Sequence, residues 1–532
     1  MSLNCRYMCL YPKHDYALIF GNWTTAENGS VPECDVFEIE CKDAAKNETK
    51  EVFYKFLHPK IYRPPQHPLP PTLSTPTEPD TPTPPKPDVH IIILDSVSQS
   101  QFIRSLQKTR HVLREYYDAI PFRHLNKVGL NSRPNGYALL FGYGIYPIPK
   151  SPMSKGHEPD LTYDQYCKEY KDNDQFIANR FKDDGYATLM SEDWSMGVFN
   201  WPGCYGFEKA PTDHYMRPYQ LRLEGQRKWR HDGMRHIVQH YSCKESYHYQ
   251  TQYLQDFINA YPDKPKFSLT WTSYLAHDDI NNLYHTDDFF YNFFKDNREK
   301  FNNSYVLFMG DHGNRFSFMR YTDVGQTEDR NPFFFLSVPA HLRKNHSFMD
   351  TIKENSQQLI THYDIYATLN EIVKPQNPRI PNPHLKGSSF FHPLPQPRTC
   401  DKLRIPFEYC QCQLDKTRLP KDNEIAKPAA KLMVERMNEN LQNTNDTTDV
   451  CASLTLDLEA GIFVDEFAEK ANIKVYEVYY KTQPGGGMFS GFLTKSNETG
   501  KLEIFSEKFP RMNKYGAQAQ CAIESNFAAY CF

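Results

Sequence analysis

The sequence predicts an α/β protein: a three-layer sandwich around a mostly parallel central sheet. A small disulfide-stabilised, β-rich module precedes it and a small α+β domain follows. Three observations carry this. Apolar segments such as His90-Ile-Ile-Ile-Leu-Asp95 run without polar alternation, as strands buried on both faces do. Stretches of helical spacing separate those segments, which makes the strands parallel and covers the sheet on both sides. Thirteen cysteines cluster toward the two ends and are sparse in the middle, like staples on terminal segments.

The elements follow in order. Residues 1–58 hold four cysteines and alternating stretches such as Asp35 to Cys41, a short β-rich module too small to stand firmly alone. Twelve prolines between Pro59 and Pro87 forbid helix and sheet and leave an extended spacer over 59–88. The main domain, 89–398, starts with the strand at His90 and a helical stretch from Gln99 to Tyr117. Further buried strands read at Ala187–Met190, Phe267–Trp271, Ser304–Met309 and Phe333–Val338. Helical stretches read around Tyr163–Phe181, Met234–Tyr261 and Asp287–Phe301. After a Cys-rich connector, 399–412, residues 413–532 read as the α+β domain: a helix over Ala426–Leu441, a strand over Lys474–Tyr480, and a hairpin of Met488–Thr494 with Lys501–Phe505.

Composition narrows the function classes. Lys+Arg total 61 against 65 Asp+Glu, a net charge of −4, so no global field points to nucleic acid. Apolar runs such as Ile91–Leu94 and Pro332–Val338 fall far short of the roughly 20 residues a membrane helix needs. No basic region followed by an apolar one is visible after Met1. The cysteines lack paired zinc knuckles, the only close pair being Cys410 and Cys412, so disulfides are the expectation, with an odd thiol left unpaired or intermolecular. Sequons at Asn22, Asn28, Asn47, Asn302, Asn345, Asn445 and Asn497 point the same way. Together they predict a secreted or lumenal glycoprotein whose signal or anchor is missing from this sequence.

Chemistry concentrates where parallel strands end. Asp95, the Met309-Gly-Asp-His-Gly313 turn and Ala276-His277-Asp278 all follow predicted strands, and they offer oxygen and nitrogen ligands for one divalent metal. Asn131-Ser-Arg-Pro-Asn-Gly136 sets a hydroxyl just before an apolar helix, where backbone N–H groups and the helix dipole favour a phosphate or sulfate. A metal-activated Ser132 there is a nucleophile. Taken singly, Asp95 reads equally as a helix cap, Ser132 as an ordinary N-cap and Arg133 as a solvent-facing cation. The i,i+4 pair of His236 and His240, near His231 and His248, lacks the glutamate of a zinc-protease helix and reads as a solvated face. Loops Trp194–Cys204 and Pro211–Arg222 are the expected pocket walls.

In this order the pieces resemble the alkaline phosphatase and sulfatase superfamily over about 89–370, including Thr361 to Leu369, which is similar to that family's late D-I-x-x-T-L helix. A resemblance over almost the whole chain is to the extracellular animal family catalogued as domain of unknown function two-two-nine. Ile93 to Val97, Asn131 to Asn135 with Ala138 to Gly142, Phe308 to Gly313, and Arg398 to Cys400 with Ile405-Pro406 and Cys410 to Cys412 carry it. The resemblance implies an alkaline phosphatase-like fold, Asp95, Asp311 and His312 as metal ligands, Ser132 as nucleophile and His277 as a contact to the substrate anion or a second metal. Arg133, Asn135 and Asn281 are the remaining substrate-binding candidates. His277-x-x-x-Asn281 stands where two-metal relatives carry Asp-x-x-x-His, and Thr327 to Pro332 holds no histidine, so one metal (zinc, manganese or calcium) is implied and a second left open. Formylglycine formation needs C-x-P-x-R or its serine form, and Gly136 stands at the arginine position, which disfavours a sulfatase proper.

The leading reading is a metal-dependent hydrolase or transferase of phosphate or related esters, its substrate an anionic ester, glycan- or lipid-linked ones included. The alternative is a catalytically inactive extracellular binding or structural glycoprotein of the same fold.

Overall fold

The computed structural model describes residues 3–43, 53–62, 85–225, 233–241, 244–316, 318–373, 385–412, 415–470, 472–497, 499–506 and 508–532. Most of the proline-rich spacer, with Asn47, His231 and Cys243, lies outside the described residues.

The N-terminal sheet comprises β1 (Leu3–His14), β2 (Ala17–Phe20), β3 (Thr24–Ala26), β4 (Val36–Asp43) and β5 (Phe53–Pro59), in the order β2-β1-β4-β5 with β3 on β1. Cys5 faces Cys41 in the β1–β4 register and is bonded to it, and Cys9 is bonded to Cys34.

The central sheet is built from β6 (Asp88–Leu94), β7 (Ile120–Pro121), β9 (Ala187–Glu192), β10 (His214–Tyr215), β11 (Lys266–Thr272), β12 (Ser304–Met309) and β13 (Phe334–Ser337), while β8 (His124–Asn126) and β14 (Leu359–Thr361) pair separately. The order is β10-β9-β11-β6-β12-β13-β7. The first five are parallel, β13 runs antiparallel to β12, and β7 runs antiparallel to β13. Along β6, Val89, Ile91 and Ile93 enter one apolar core with helices Ser132–Leu140 and His362–Ile372. Ile92 and Leu94 enter the other with helices Gln107–Tyr117 and Ser246–Ala260. That alternation makes three layers, and it is why β6 reads as uninterrupted apolar sequence.

Two helical stretches are broken where tertiary partners intervene. The run from Gln99 divides at Leu106, because Asp287 accepts hydrogen bonds from the backbone N–H of Lys108 and Thr109 (both 2.9 Å) and starts a new helix there. Tyr163–Phe181 is only a short turn at Asp164–Lys168 and a helix at Ile177–Asp183, with the intervening chain near the Cys167–Cys204 disulfide.

The C-terminal sheet consists of β15 (Lys416–Arg418), β16 (Thr455–Leu456), β17 (Phe463–Phe467), β18 (Ile473–Gln483), β19 (Gly487–Ser496) and β20 (Leu502–Ile504), with the helix Ala426–Gln442 on one face. Tyr476, Val478 and Tyr480 of β18 pack against that helix. Glu477 and Tyr479 turn to the central domain, where Gln326 donates to both and Lys416 pairs with Glu477, Asp465 and Asp323. Cys400–Cys410 and Cys451–Cys531 complete the disulfides among the described residues, leaving Cys412 and Cys521 as thiols. No helix among the described residues is long and apolar enough to cross a membrane.

Candidate active site

Register places the chemistry. Ile93 of β6 is level with Trp271 of β11 and Met309 of β12, so the residues after each strand emerge side by side. Asp95, Ser273 and the Gly310–Gly313 turn therefore meet at the carboxyl end of the sheet. The turn is tight: a Cβ on Gly313 would lie 1.8 Å from the Glu328 carbonyl oxygen. Ser96 adopts φ +65°, a left-handed conformation uncommon outside glycine. In that conformation its N–H donates to Asp311 Oδ1 (3.1 Å) and its hydroxyl to Asp95 Oδ1 (3.0 Å).

Asp95, Asp311 and His312 are buried, with one potential ligand atom from each within 4.8 Å of the others. His312 Nδ1 lies 2.7 Å from the Gly313 carbonyl, which fixes that nitrogen as the donor and leaves the Nε2 lone pair facing Asp95 (3.5 Å) and Asp311 (3.4 Å). Asp311 Oδ2 has no hydrogen-bond partner although it is buried. Burial, reinforced by the Asp95 charge, pushes the Asp311 carboxyl well above the ordinary range, and burial, aided by Arg315 and Lys127, pushes the His312 imidazole well below its own. Two oxygen ligands and one imidazole with a free lone pair fit a divalent cation of the zinc or manganese kind.

Ser132 is the first residue of helix Ser132–Leu140, and Asn131 is its cap residue. Its Oγ is 3.3 Å from Asp95 Oδ2 and 3.4 Å from His312 Nε2, at the edge of the ligand cluster. Neither Asp95 nor Ser132 caps a helix: the cap of Gln99–Ser105 is Ser98. His277 lines the same cavity, with Nδ1 2.8 Å from Asp278 and Nε2 3.4 Å from Arg315 Nη2.

The structure thus brings together Asp95, Ser132, His277, Asp311 and His312, with Arg133 on the cavity wall and buried instead of facing solvent. Two candidates stand elsewhere. Asn135 is buried behind the loop, its Oδ1 accepting from the N–H of Val128 (2.8 Å) and Gly129 (3.3 Å) and its Nδ2 donating to Gly129 and Asn131 carbonyls, so it shapes the nucleophile loop. Asn281 is exposed in the short helix Ile280–Thr286, outside the cavity lining, because the chain turns away after Asp279 caps that helix. Of the two expected walls, Trp194, Gly197, Val198, Trp201 and Pro202 do line the cavity. Pro211–Arg222 instead holds the N-terminal module, through Tyr215 and Arg217 on Asp15 and His214 on Asp35 (2.7 Å).

Sequence reasoning missed three groups. Arg315, three residues beyond His312, was open to discovery as the first cation after the turn. Asp193 follows β9 and accepts from the N–H of Ser273 (2.6 Å), steadying the loop that leads to His277. Lys508, Lys514 and Tyr515 of the C-terminal region wall the far side of the cavity, which holds about 550 Å³, and no local pattern marks them.

A three-layer α/β fold with a buried Asp-Asp-His centre and an adjacent serine hydroxyl at the strand ends defines the class. The chain belongs to the family described as Protein of unknown function (DUF229), whose model matches residues 1–459. Among solved structures, it is similar to a protein in the alkaline phosphatase superfamily from Vibrio parahaemolyticus (11% identity, 84% of this chain and 89% of that one, TM-score 0.35). It is also similar to the phosphonate monoester hydrolases of Silicibacter pomeroyi (11%, 78% and 89%, TM-score 0.40) and Agrobacterium radiobacter (10%, 78% and 90%, TM-score 0.37). At such identities and scores no activity transfers from them. No curated protein matches the chain.

Proposed function

We propose that this protein is a secreted or lumenal metal-dependent hydrolase or transferase of phosphate or related esters, with Ser132 as nucleophile. The observation that supports this is the buried pair of carboxylates and imidazole, with no Lys or Arg in ion-pair contact with either carboxylate among the described residues and a hydroxyl 3.3–3.4 Å from two members of the cluster. A divalent cation held by Asp95, Asp311 and His312 would supply charge to activate the hydroxyl and neutralise the ester oxygens. Ser132 Oγ forms the new ester bond, and the bond to the leaving oxygen breaks, giving a phospho-serine that water or an acceptor alcohol then resolves. Asp95 Oδ2 is within reach of the hydroxyl proton. His277 and Arg315 face the incoming anion, and the helix N-terminus beneath Ser132 favours the same charge.

Maturation to formylglycine fits poorly. A Cβ at Gly136, the place of the motif's arginine, would lie 2.7 Å from Val198 Cγ1 and 3.3 Å from Trp271, so the space is filled. The five disulfides support an oxidising compartment.

The test is metal content by elemental analysis of the folded protein, wild type against Asp311→Ala. About one zinc, manganese or calcium per chain, lost in the variant, is expected, followed by phosphomono- or diesterase activity that Ser132→Ala abolishes. A wild type that stays metal-free after reconstitution overturns the reading and leaves the inactive binding glycoprotein.

A further inference from the structure

The cavity wall carries positive charge that the metal centre does not use. Arg133 is 3% exposed; its Nη2 donates to the Pro202 carbonyl (3.1 Å), its Nε has no hydrogen-bond partner, and it forms no ion pair among the described residues. A buried guanidinium without a carboxylate is costly unless an anion comes to it. Arg133 also lies near enough to Tyr166 that its charge counteracts the effect of burial on that phenol. The Tyr166 ring is 6.0 Å from that of Tyr146, and over Tyr146, at 4.9 Å, sits the ammonium of Lys508, which is 5.8 Å from Phe527. Lys508 is half-buried and likewise has no ion pair among the described residues. The neighbouring cation Lys386, by contrast, is taken by Asp160 at 2.9 Å. Arg133, Tyr146 and Lys508 line one cavity with Ser132.

The scissile group has its own partners in Ser132, His277 and Arg315, while the guanidinium of Arg133 is held on the Pro202 and Tyr166 side. We infer that Arg133 and Lys508, on either side of the Tyr146–Tyr166 ring pair, form a second anion subsite, so that the substrate carries a second anionic group beyond the ester at Ser132. This rests on the reading of Ser132 as the attacking group. It makes the substrate class a bis-anion: an ester whose carrier bears a further phosphate, sulfate or carboxylate, set against aromatic rings. Lys508 lies beyond the family-matched residues 1–459, so the C-terminal region takes part in selecting the substrate.

Non-hydrolysable probes test this on the full, metal-loaded chain. Alkane-α,ω-bisphosphonates of graded length are titrated calorimetrically against the matching monophosphonates. The expected result is that one length binds about tenfold more tightly than its monophosphonate, a difference of about 1.4 kcal/mol. Lys508→Met, which keeps an apolar stem over Tyr146 without the charge, brings the ratio to about one, and Lys508→Arg restores it. No advantage at any length, or an advantage that survives in Lys508→Met, overturns the subsite. Failure of the catalytic reading looks different: monophosphonate binding would then be the same in Asp311→Ala as in wild type, whatever the ratio. Circular dichroism of each variant separates loss of fold from loss of charge.

Discussion

Asp311, in the Gly310–Gly313 turn, and Asp329, in the helix Asp323–Arg330, are both fully buried, yet their surroundings are opposite. Asp329 takes Lys127 Nζ at 2.6 Å and Arg320 Nη2 at 3.2 Å. Burial pushes its carboxyl up, but Arg320 and Lys127 more than offset this, and it stays below the ordinary range. Asp311 has Asp95 as its neighbour and, among the described residues, no cation in ion-pair contact except the suppressed imidazole of His312. A buried charge with its counter-ion in place holds structure together, and one without it is kept for an ion that comes from outside.

The largest test of that contrast is a pair of alanine substitutions. Asp329→Ala strands Lys127 and Arg320 without a counter-charge and is expected to cost about 3–5 kcal/mol in denaturant unfolding. Asp311→Ala, measured without metal, is expected to leave stability unchanged or raise it, since it removes repulsion with Asp95. Equal losses in both would erase the distinction. A smaller effect sharpens it: a divalent cation at 100 times its dissociation constant stabilises wild type by about 2.7 kcal/mol, read as a rise in Tm that a chelator reverses, and leaves Asp311→Ala unmoved.

The smallest effect comes from carboxyls of a third kind, buried and hydrogen-bonded but not ion-paired with a counter-charge. Burial outweighs the hydrogen bond from Val198 and the Arg217 charge to bring Glu192 up to about 7, and outweighs those from Ser273 and Tyr274 to bring Asp193 up to about 8. Both are raised above their unfolded values near 4, so the folded protein holds protons that the unfolded chain has released. Their contribution is full below that range and is lost as pH climbs through about 7 and about 8. Stability should fall from pH 5 toward 8 by up to about 1.4 kcal/mol per pH unit for each group, and Glu192→Gln with Asp193→Asn should flatten the slope. An unchanged slope in the double variant places the titration elsewhere.

Much of the fold was legible because it depends on local pattern. β6 and β12 hold the apolar runs Ile91–Leu94 and Tyr305–Met309, and Ala426–Gln442 keeps its helical spacing to within a residue. Helix breaks were illegible, since Asp287 caps a helix at Lys108 and Thr109, 179 and 178 residues earlier in the chain. In the site, Asp95, Ser132, Asp311 and His312 could be read because each directly follows a strand or opens a helix. Asn135 and Asn281 could not be placed, because a side-chain amide beside a motif serves its own loop as readily as a ligand. Arg133 was open to either reading until its burial was known.

By itself the sequence determined the main buried strands and the residues delivered to their carboxyl ends, because backbone hydrogen bonding and side-chain alternation are short-range rules. Only the tertiary structure decided which buried charges are neutralised and which are left waiting, and that Lys508 faces the cavity of Ser132. The physical reason is that the energy of a charge is set by neighbours in space: Asp329 and Asp311 differ in what the fold packs against them, with Lys127 arriving from a distant part of the chain.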